Sequence, residues 1–175
     1  VSRIESGRLE VRREAVRFSE VLDSVYGTFE GVSANHVLRV RGEFGVSVVG
    51  DHDKLIEVLS NLVDNAIKYS VHGGLVVIDG RIVRERFEVR VIDEGVGIPE
   101  EQQDVIFQRF GRLRRAETEH VRSTGLGLYL VSELLRLMDT VISVESNEGV
   151  GSTFMFSLPL ATEVLEEGSD DVLAA

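Results

Sequence analysis

The apolar positions in the first third of the chain change from the spacing of strands to that of helices and back. Residues 9–16 partly alternate apolar with charged side chains, as a half-buried strand does. Apolar residues then recur at helical spacing over 21–29, and Ser19 is placed to cap this helix. Short apolar runs at 37–41 and 46–49, separated by a turn, predict two further strands.

The rest of the chain predicts two more helices and four more strands. Residues 51–69 form an amphipathic helix that ends before Gly73 and Gly74, and residues 126–138 form a more apolar helix. The predicted strands are 75–83, 87–92, 141–145 and 153–158.

In residues 94–123 the apolar positions follow neither the two-residue period of a strand nor the 3.6-residue period of a helix. The segment is rich in glycine, charged and polar residues, and it is longer than an ordinary connection. Because long loops of this kind often act as lids, we predict a lid at about 100–123. At the two ends of the chain, 1–8 reads as the end of a helix and 161–175 as an acidic tail or linker.

The helix predicted at 51–69 carries one apolar stripe and one unusual polar stripe. At 3.6 residues per turn, the apolar stripe is Leu55, Leu59, Leu62, Val63 and Ala66. The polar stripe is Glu57, Asn61, Asp64, Asn65 and Lys68. Asparagine is a mediocre helix former, whereas amide oxygens can ligate Mg²⁺ and a lysine one turn later can reach a phosphate. A solvated helix face with two incidental amides explains these residues equally well.

Glycine-rich segments lie at three of the predicted junctions. Residues 93–99 (DEGVGIP) follow a strand, where glycine allows close approach of a ligand and Asp93 can accept hydrogen bonds from an amine such as adenine N6. Residues 123–128 (STGLGL) begin a helix whose free N–H groups favour a phosphate, with Thr124 as its candidate cap. The alternatives are a strand-ending turn and a capped helix after a loop, while 149–153 (GVGST) by itself indicates a hairpin turn.

A cationic cluster lies between the first two glycine segments. Arginine binds phosphate through paired hydrogen bonds, and neighbouring aromatic rings can anchor a loop to the body of the domain. The residues are Phe107, Phe110, Arg109, Arg112, Arg114 and Arg115. A solvated loop is the alternative, but the order of all these segments indicates a pocket for adenine at one end and a metal-bound triphosphate at the other.

Composition narrows the possible functions. The chain has 175 residues, 43% of them apolar, which suits one globular domain. It has no cysteine, which excludes disulfides and thiolate metal sites, and its net charge of -11 disfavours general binding to nucleic acids. No apolar run is long enough for a membrane span. Because the first residue is Val1, we expect a fragment of a longer protein.

In this order the segments resemble the catalytic domain of sensor histidine kinases, in the superfamily of gyrase-type, heat-shock-90-type and mismatch-repair ATPases. Residues 57–70 (EVLSNLVDNAIKYS) resemble the N box of that family, and residues 93–99 resemble its first glycine box. Residues 106–110 (IFQRF) resemble the F box, and residues 125–128 (GLGL) resemble the second glycine box. The resemblance implies an α+β fold, a two-layer sandwich in which a mixed, mostly antiparallel sheet of about five strands packs against three helices. It also implies an ATP-binding catalytic domain over 9–160, after the end of a dimerisation helix.

The resemblance implies ATP and Mg²⁺ as cofactors and a role for each motif. Asn65 coordinates Mg²⁺, Asn61 lines the phosphate and metal region, Lys68 contacts phosphate, Tyr69 packs near adenosine and Asp93 reads adenine. The other residues implied to contact the nucleotide are Gly95, Gly97, Ile98, Arg109, Arg112, Thr124, Gly125, Leu126, Gly127, Leu128 and Thr153.

The N box also bears on the type of reaction. Hydrolytic members of the superfamily carry a glutamate one turn before the metal asparagine, and here that residue is Asn61, whose amide cannot take a proton from water. Transfer to a protein histidine is therefore favoured, with Glu57, Asn61 and Lys68 as candidate catalytic residues and Glu57 polarising the imidazole. A hydrolase of the same superfamily is one alternative. A degenerate nucleotide-binding regulatory module is the other, because Ser123 replaces a usual glycine.

The partners follow from the same resemblance. The phosphoacceptor of the family is a histidine followed by an acidic residue, and none of the four histidines matches that pattern in its helical setting: His36, His52, His72 and His120. We therefore expect the acceptor in an upstream dimerisation domain, a response regulator receiver domain as the next partner, and no nucleic acid. The fragment is expected to be a monomer and a cytoplasmic domain, and the full-length protein a homodimer that is cytoplasmic or membrane-anchored.

Overall fold

The computed structural model describes residues 10–31, 33–111 and 124–161. Three predictions concern residues that lie outside these ranges: the helix end at 1–8, the part of the lid from 112 to 123, and the tail beyond 161.

Within the described ranges the chain forms seven strands and three α-helices. In chain order they are β1 (Glu14–Arg17), α1 (Phe18–Phe29), β2 (His36–Gly42), β3 (Ser47–Gly50), α2 (His52–Tyr69), β4 (Gly74–Val83), β5 (Arg86–Asp93), α3 (Gly127–Leu137), β6 (Ser143–Asn147) and β7 (Gly151–Pro159). Two short 3₁₀ turns, Glu100–Gln102 and Val105–Phe107, lie between β5 and α3. None of the helices in these ranges combines the length and the apolar character needed to cross a bilayer.

Five strands form the main sheet, in the order β2-β4-β5-β7-β6. The β2–β4 pair is parallel and the other three pairs are antiparallel, so the predicted mixed, mostly antiparallel sheet is confirmed. Along β5 the buried residues alternate with partly buried ones, because one face of the sheet packs on the helices. Two layers, sheet and helices, therefore enclose one core.

β1 and β3 form a separate two-stranded antiparallel sheet, which is joined to the end of β7 by a bridge between Val48 and Leu160. This sheet leads directly into α1, whose first residue is Phe18. The predicted cap was wrong, because Ser19 lies inside the helix. No side chain caps this helix, and the N–H of its first residue, Phe18, donates to the carbonyl of Val46 at 2.9 Å, so a neighbouring loop satisfies one of the free donors of the first turn.

The helix α2 begins as the sequence predicts. The Asp51 side chain accepts a hydrogen bond from the N–H of Lys54 at 3.2 Å, which caps the helix, and one from the N–H of Arg12 at 2.9 Å. The predicted apolar stripe, from Leu55 to Ala66, is buried throughout. One carboxylate thus fixes both the start of α2 and the chain segment that precedes β1.

The boundaries of the last two strands differ from the prediction. β6 lies two residues later than the predicted 141–145, because Val141 is 77% exposed and follows a tight turn in which Asp139 has a φ of 54°. β7 is longer at its start than predicted, since Gly151 and Ser152 pair with Asn147 and Ser146 of β6.

Three aromatic rings meet where α1 packs on the sheet. The ring centres of Phe18 and Phe87 are 5.0 Å apart, and Phe44 lies 5.8 Å from Phe87 and 6.0 Å from Phe18. Aromatic pairs at such distances stabilise a fold beyond the area that they bury. Phe18 and Phe87 are both fully buried, so this cluster holds the helix layer to the sheet.

We predict that Phe87→Ala lowers the free energy of unfolding by about 3–5 kcal/mol, because it removes a buried ring and leaves a cavity between two others. Urea denaturation followed by circular dichroism measures the change. Val141→Ala, on a side chain that is 77% exposed, is the control and should change stability by less than about 0.5 kcal/mol. Equal effects of the two substitutions would contradict the assignment.

Candidate functional site

A cleft lies between α2, the carboxyl end of β5 and the start of α3. The empty space within it is about 450 Å³, a figure that includes space open to solvent. Its lining is Asn65, Tyr69, Asp93, Val96, Gly97, Ile98, Ile106, Gly111, Leu128, Ser152 and Phe154. Most of this lining is apolar, with a small number of polar side chains among it, as is usual for small-molecule sites.

Asp93 is the buried charged residue of this cleft, with 6% of its surface exposed. Its Oδ1 accepts hydrogen bonds from the N–H of Gly95 at 2.8 Å and from the N–H of Ser152 at 3.2 Å. Burial raises the pKa of Asp93 to about 6, and these two backbone bonds oppose the rise. Within the described part of the chain Oδ2 accepts no hydrogen bond, so it remains available to a donor on a ligand.

The first glycine segment is held close to two other elements. A side chain at Gly95 would come within 2.7 Å of the Tyr69 carbonyl, and one at Gly97 within 2.1 Å of the Asn147 carbonyl. The N–H of Val96 donates to the Tyr69 carbonyl at 3.1 Å. Glycine is therefore required at both positions, since the loop is packed between the end of α2 and the β6–β7 turn.

The predicted polar stripe of α2 separates into a part at the cleft and a part beside it. The side chain of Asn65 lines the cleft, whereas Asn61 donates from Nδ2 to the Glu57 carbonyl at 2.7 Å. The carboxylate of Glu57 pairs with Lys54 at 3.1 Å, and Lys68 pairs with Asp64. All three predicted catalytic residues, Glu57, Asn61 and Lys68, are thus engaged with neighbours on their own helix.

The second glycine segment joins the F box. Gly125 has a φ of 66°, and its carbonyl accepts a hydrogen bond from the N–H of Phe110 at 2.9 Å. Thr124 is not the cap of α3, because Leu126 precedes the first helical residue, Gly127, and no side chain caps the helix. The F box, which lies inside the predicted lid, is therefore hydrogen-bonded to the second glycine segment, which begins where the lid ends.

Gly127 brings α3 close to the polar stripe of α2. A side chain at this position would come within 2.9 Å of Oδ1 of Asn61. Arg109 stacks on the Phe110 ring with its guanidinium carbon 5.0 Å from the ring centre. Arg112, the other predicted lid cation, lies outside the described residues.

Six of the predicted residues line the cleft: Asn65, Tyr69, Asp93, Gly97, Ile98 and Leu128. Those that the structure places beside it or elsewhere are Glu57, Asn61, Lys68, Gly95, Arg109, Thr124, Gly125, Leu126, Gly127 and Thr153. Thr153 points to the opposite face of β7 from Ser152, because neighbouring residues of a strand alternate.

Sequence reasoning missed Val96, Ile106, Gly111, Ser152 and Phe154. A signal for Ser152 was available. Alternation along β7 places this serine on the same face as the buried Phe154, Phe156 and Leu158, so the third glycine segment pointed to Ser152 instead of Thr153.

The side chains around the cleft suit a weakly chelated hard cation. No group of three or more His, Asp or Glu side chains converges within the described ranges. The Asn65 amide makes no hydrogen bond to another described residue, so its oxygen can act as a ligand. One amide oxygen is what Mg²⁺ needs when phosphate and water supply most of its other ligands.

Residues 50–162 match the protein family described as histidine kinase-, DNA gyrase B-, and HSP90-like ATPase. Over 98% of its length the chain is 34% identical to the sensor histidine kinase WalK of Bacillus subtilis, of which it spans 28%. In structure it is similar to the mycobacterial sensor histidine kinase MprB, with a TM-score of 0.73 and 25% identity over 85% of this chain and 98% of that one.

A second solved structure, the Acinetobacter baumannii histidine kinase AdeS, gives a TM-score of 0.71 at 28% identity, over 92% of this chain and 74% of that one. The family match covers the cleft from the start of α2 to the end of β7, with every described residue of its lining. The chain therefore belongs to the histidine kinase-, DNA gyrase B- and HSP90-like ATPase family, and it is an ATP-binding catalytic domain of the sensor histidine kinase type.

Proposed function

We propose that this chain binds Mg·ATP in the cleft and donates the γ-phosphoryl group to a histidine in a helical dimerisation domain of the full-length protein. The observation that carries the proposal is the placement of Asp93. Its carboxylate is buried at the apolar end of the cleft, with Oδ2 free of partners among the described residues, and the Asn65 amide lies on a different wall. An acceptor for a base amine and a ligand for a metal thus share one cleft.

In this proposal the adenine base binds against the first glycine segment. Ile98, Ile106 and Phe154 supply apolar surface for the base, and Asp93 accepts a hydrogen bond from its exocyclic amine. A carboxylate that is buried without a charged partner is costly, and a bound amine repays part of that cost. The hydrogen bond that recognises the base is therefore the same one that stabilises the buried Asp93 carboxylate.

At the other end of the cleft Asn65 would hold Mg²⁺, which neutralises charge on the triphosphate when it is bound. Lys68 can exchange its ion pair with Asp64 for a phosphate oxygen, because both side chains are about 40% exposed: 42% for Lys68 and 41% for Asp64. Surface ion pairs contribute little to stability, so the exchange costs little. Arg109 and Arg112 are the lid cations that would approach the phosphates.

The amide at position 61 supports phosphoryl transfer instead of hydrolysis. Asn61 lies one turn before Asn65 and is bonded to the Glu57 carbonyl, so it offers an amide where a hydrolase of this family has a carboxylate. Phosphoryl transfer depends mainly on positioning and charge neutralisation, which the cleft can supply. Once its ion pair with Lys54 is broken, the Glu57 carboxylate would polarise the imidazole of the acceptor histidine.

The chain spans 28% of WalK and 33% of SenX3 from Mycobacterium bovis, so most of the length of these relatives lies outside the matched region. We propose that the full-length protein is a homodimer whose dimerisation domain carries the acceptor histidine. A response regulator receiver domain would then accept the phosphoryl group from that histidine.

Two measurements test the proposed function. Calorimetric titration of this chain with Mg·ATP should show binding with one site per chain. Incubation with γ-labelled ATP should leave this chain unlabelled, whereas the full-length protein should acquire an acid-labile, base-stable phosphate, as expected of phosphohistidine. No heat of binding at millimolar ATP, or hydrolysis by the isolated chain as fast as transfer, would refute the proposal.

We predict that Asn65→Ala removes the Mg²⁺ dependence of ATP affinity, because it deletes the amide ligand of the metal while leaving the apolar stripe of α2 intact. Titrations with and without Mg²⁺ measure the dependence, and circular dichroism checks the fold. Asn35→Ala, at an exposed asparagine before β2, is the matched control and should retain it. An unchanged Mg²⁺ dependence in Asn65→Ala would remove this residue from the metal site.

We predict that ATP affinity falls as the pH drops below about 6. The pKa of Asp93 is raised to about 6, so its carboxylate is ionised above that pH and accepts the amine hydrogen. Below about pH 6 the protonated acid loses most of this capacity, and affinity should fall by at most about tenfold per pH unit. Asp93→Asn should bind weakly with a flatter profile, which separates this effect from protonation of ATP itself. Parallel profiles of the two proteins would contradict the assignment.

A further inference from the structure

The first glycine segment is fixed from outside the cleft by Ser146 of β6. The Ser146 Oγ accepts a hydrogen bond from the N–H of Ile98 at 2.8 Å. The Gln103 side chain donates from Nε2 to the carbonyls of Ile98 and Ser146, both at 3.1 Å. Ser146 itself does not line the cleft, whereas Ile98 does.

Ser146 also contacts Ser152, which lines the cleft beside Asp93. The two hydroxyl oxygens are 3.0 Å apart, and the Ser146 Oγ lies 2.8 Å from the Gly151 carbonyl. A serine hydroxyl has one hydrogen, and a carbonyl can only accept. The Ser146 hydrogen is therefore committed to Gly151, so the hydrogen between the two hydroxyls must come from Ser152.

This orientation determines what Ser152 offers to a ligand. Its hydrogen points to Ser146, away from the cleft, so the Ser152 oxygen faces a ligand as an acceptor. Asp93, whose Oδ1 accepts the N–H of Ser152 at 3.2 Å, is an acceptor when ionised. The buried end of the cleft thus presents two acceptors next to each other, which favours an amine with two hydrogens over a carbonyl oxygen.

We propose that Ser146 is a positioning residue that sets nucleobase specificity through the Ser152 hydroxyl, so that the cleft selects 6-aminopurine over 6-oxopurine nucleotides. The inference rests on the proposed nucleotide site. Loss of the Ser146 hydroxyl frees the Ser152 hydrogen, which can then turn into the cleft and donate to a carbonyl. A residue without ligand contact thereby controls which base is accepted.

The test compares ATP with inosine triphosphate, in which a carbonyl oxygen replaces the amine at position 6. Calorimetric titrations at about pH 8, where Asp93 is ionised, measure the ratio of the two affinities. Ser146→Ala should lower the preference for ATP by about three- to tenfold, the range expected for one hydrogen bond. Ser146→Thr, which keeps the hydroxyl, should restore the preference. Ser143→Ala is the matched control on the exposed part of β6 and should leave it unchanged.

A double-mutant cycle separates this role from a merely structural one. Ser152→Ala should itself lower the preference for ATP, because the acceptor that disfavours a carbonyl is gone. In that background Ser146→Ala should weaken both nucleotides equally, with no further change in their ratio. If Ser146→Ala changes the ratio as much without Ser152 as with it, the relay is refuted.

Three further outcomes have defined meanings. Equal weakening of both nucleotides by Ser146→Ala alone would show a structural role and overturn the proposal. If Ser146→Ala does not fold, Ser152→Ala decides, because an unchanged preference in that variant also overturns it. If the unaltered chain binds neither nucleotide, the proposed function fails instead, and the two failures are therefore distinguishable.

Discussion

The cleft depends on a carboxylate that the fold holds at the boundary between the core and the ligand site. Asp93 ends the buried face of β5, after Phe87, Val89 and Val91, so the alternation that builds the core also carries the carboxylate inward. Two backbone N–H groups stabilise one of its oxygens, and burial raises its pKa. The remaining need for a donor is what a base amine can satisfy. The burial of Asp93 is thus unfavourable by itself and becomes the basis of recognition when a ligand donates to its carboxylate.

The backbone around Asp93 explains why the first and third glycine segments need their glycines. Gly95 lies against the carbonyl of Tyr69, and Gly97 lies against that of Asn147. A side chain at Gly151 would come within 2.0 Å of the Asp93 carbonyl. Each glycine therefore lets two chain segments approach closely, and together they bring α2, the first glycine segment and the β6–β7 turn to the same point. The shape of the cleft around Asp93 therefore depends on the packing of backbone segments as well as on side chains.

Helix α2 connects the stability of the domain to its chemistry. One face contributes fully buried residues such as Leu59 and Leu62 to the core, and the other presents Asn65 to the cleft. Because the buried face fixes the rotation of the helix, the amide cannot leave the cleft without disturbing the core. The charged neighbours of Asn65 are paired along the helix surface and partly exposed, so they can change partners when a polyanion binds. The helix is thus rigid on the core side and adaptable on the ligand side.

The sequence by itself determined the order of the main elements, the buried stripe of α2, the five-stranded sheet implied by the family resemblance, and the placement of Asn65 and Asp93 in one cleft. These features follow from local periodicity and from motifs whose spacing is fixed along the chain. Only the tertiary structure decided that a loop carbonyl instead of a Ser19 cap holds the first turn of α1, and that Ser146 fixes the direction of a hydroxyl. Each depends on a contact between segments far apart in sequence, or on strand register. A linear pattern states which residues share a face, but hydrogen bonds between residues 48 or 59 positions apart exist only when the chain is folded.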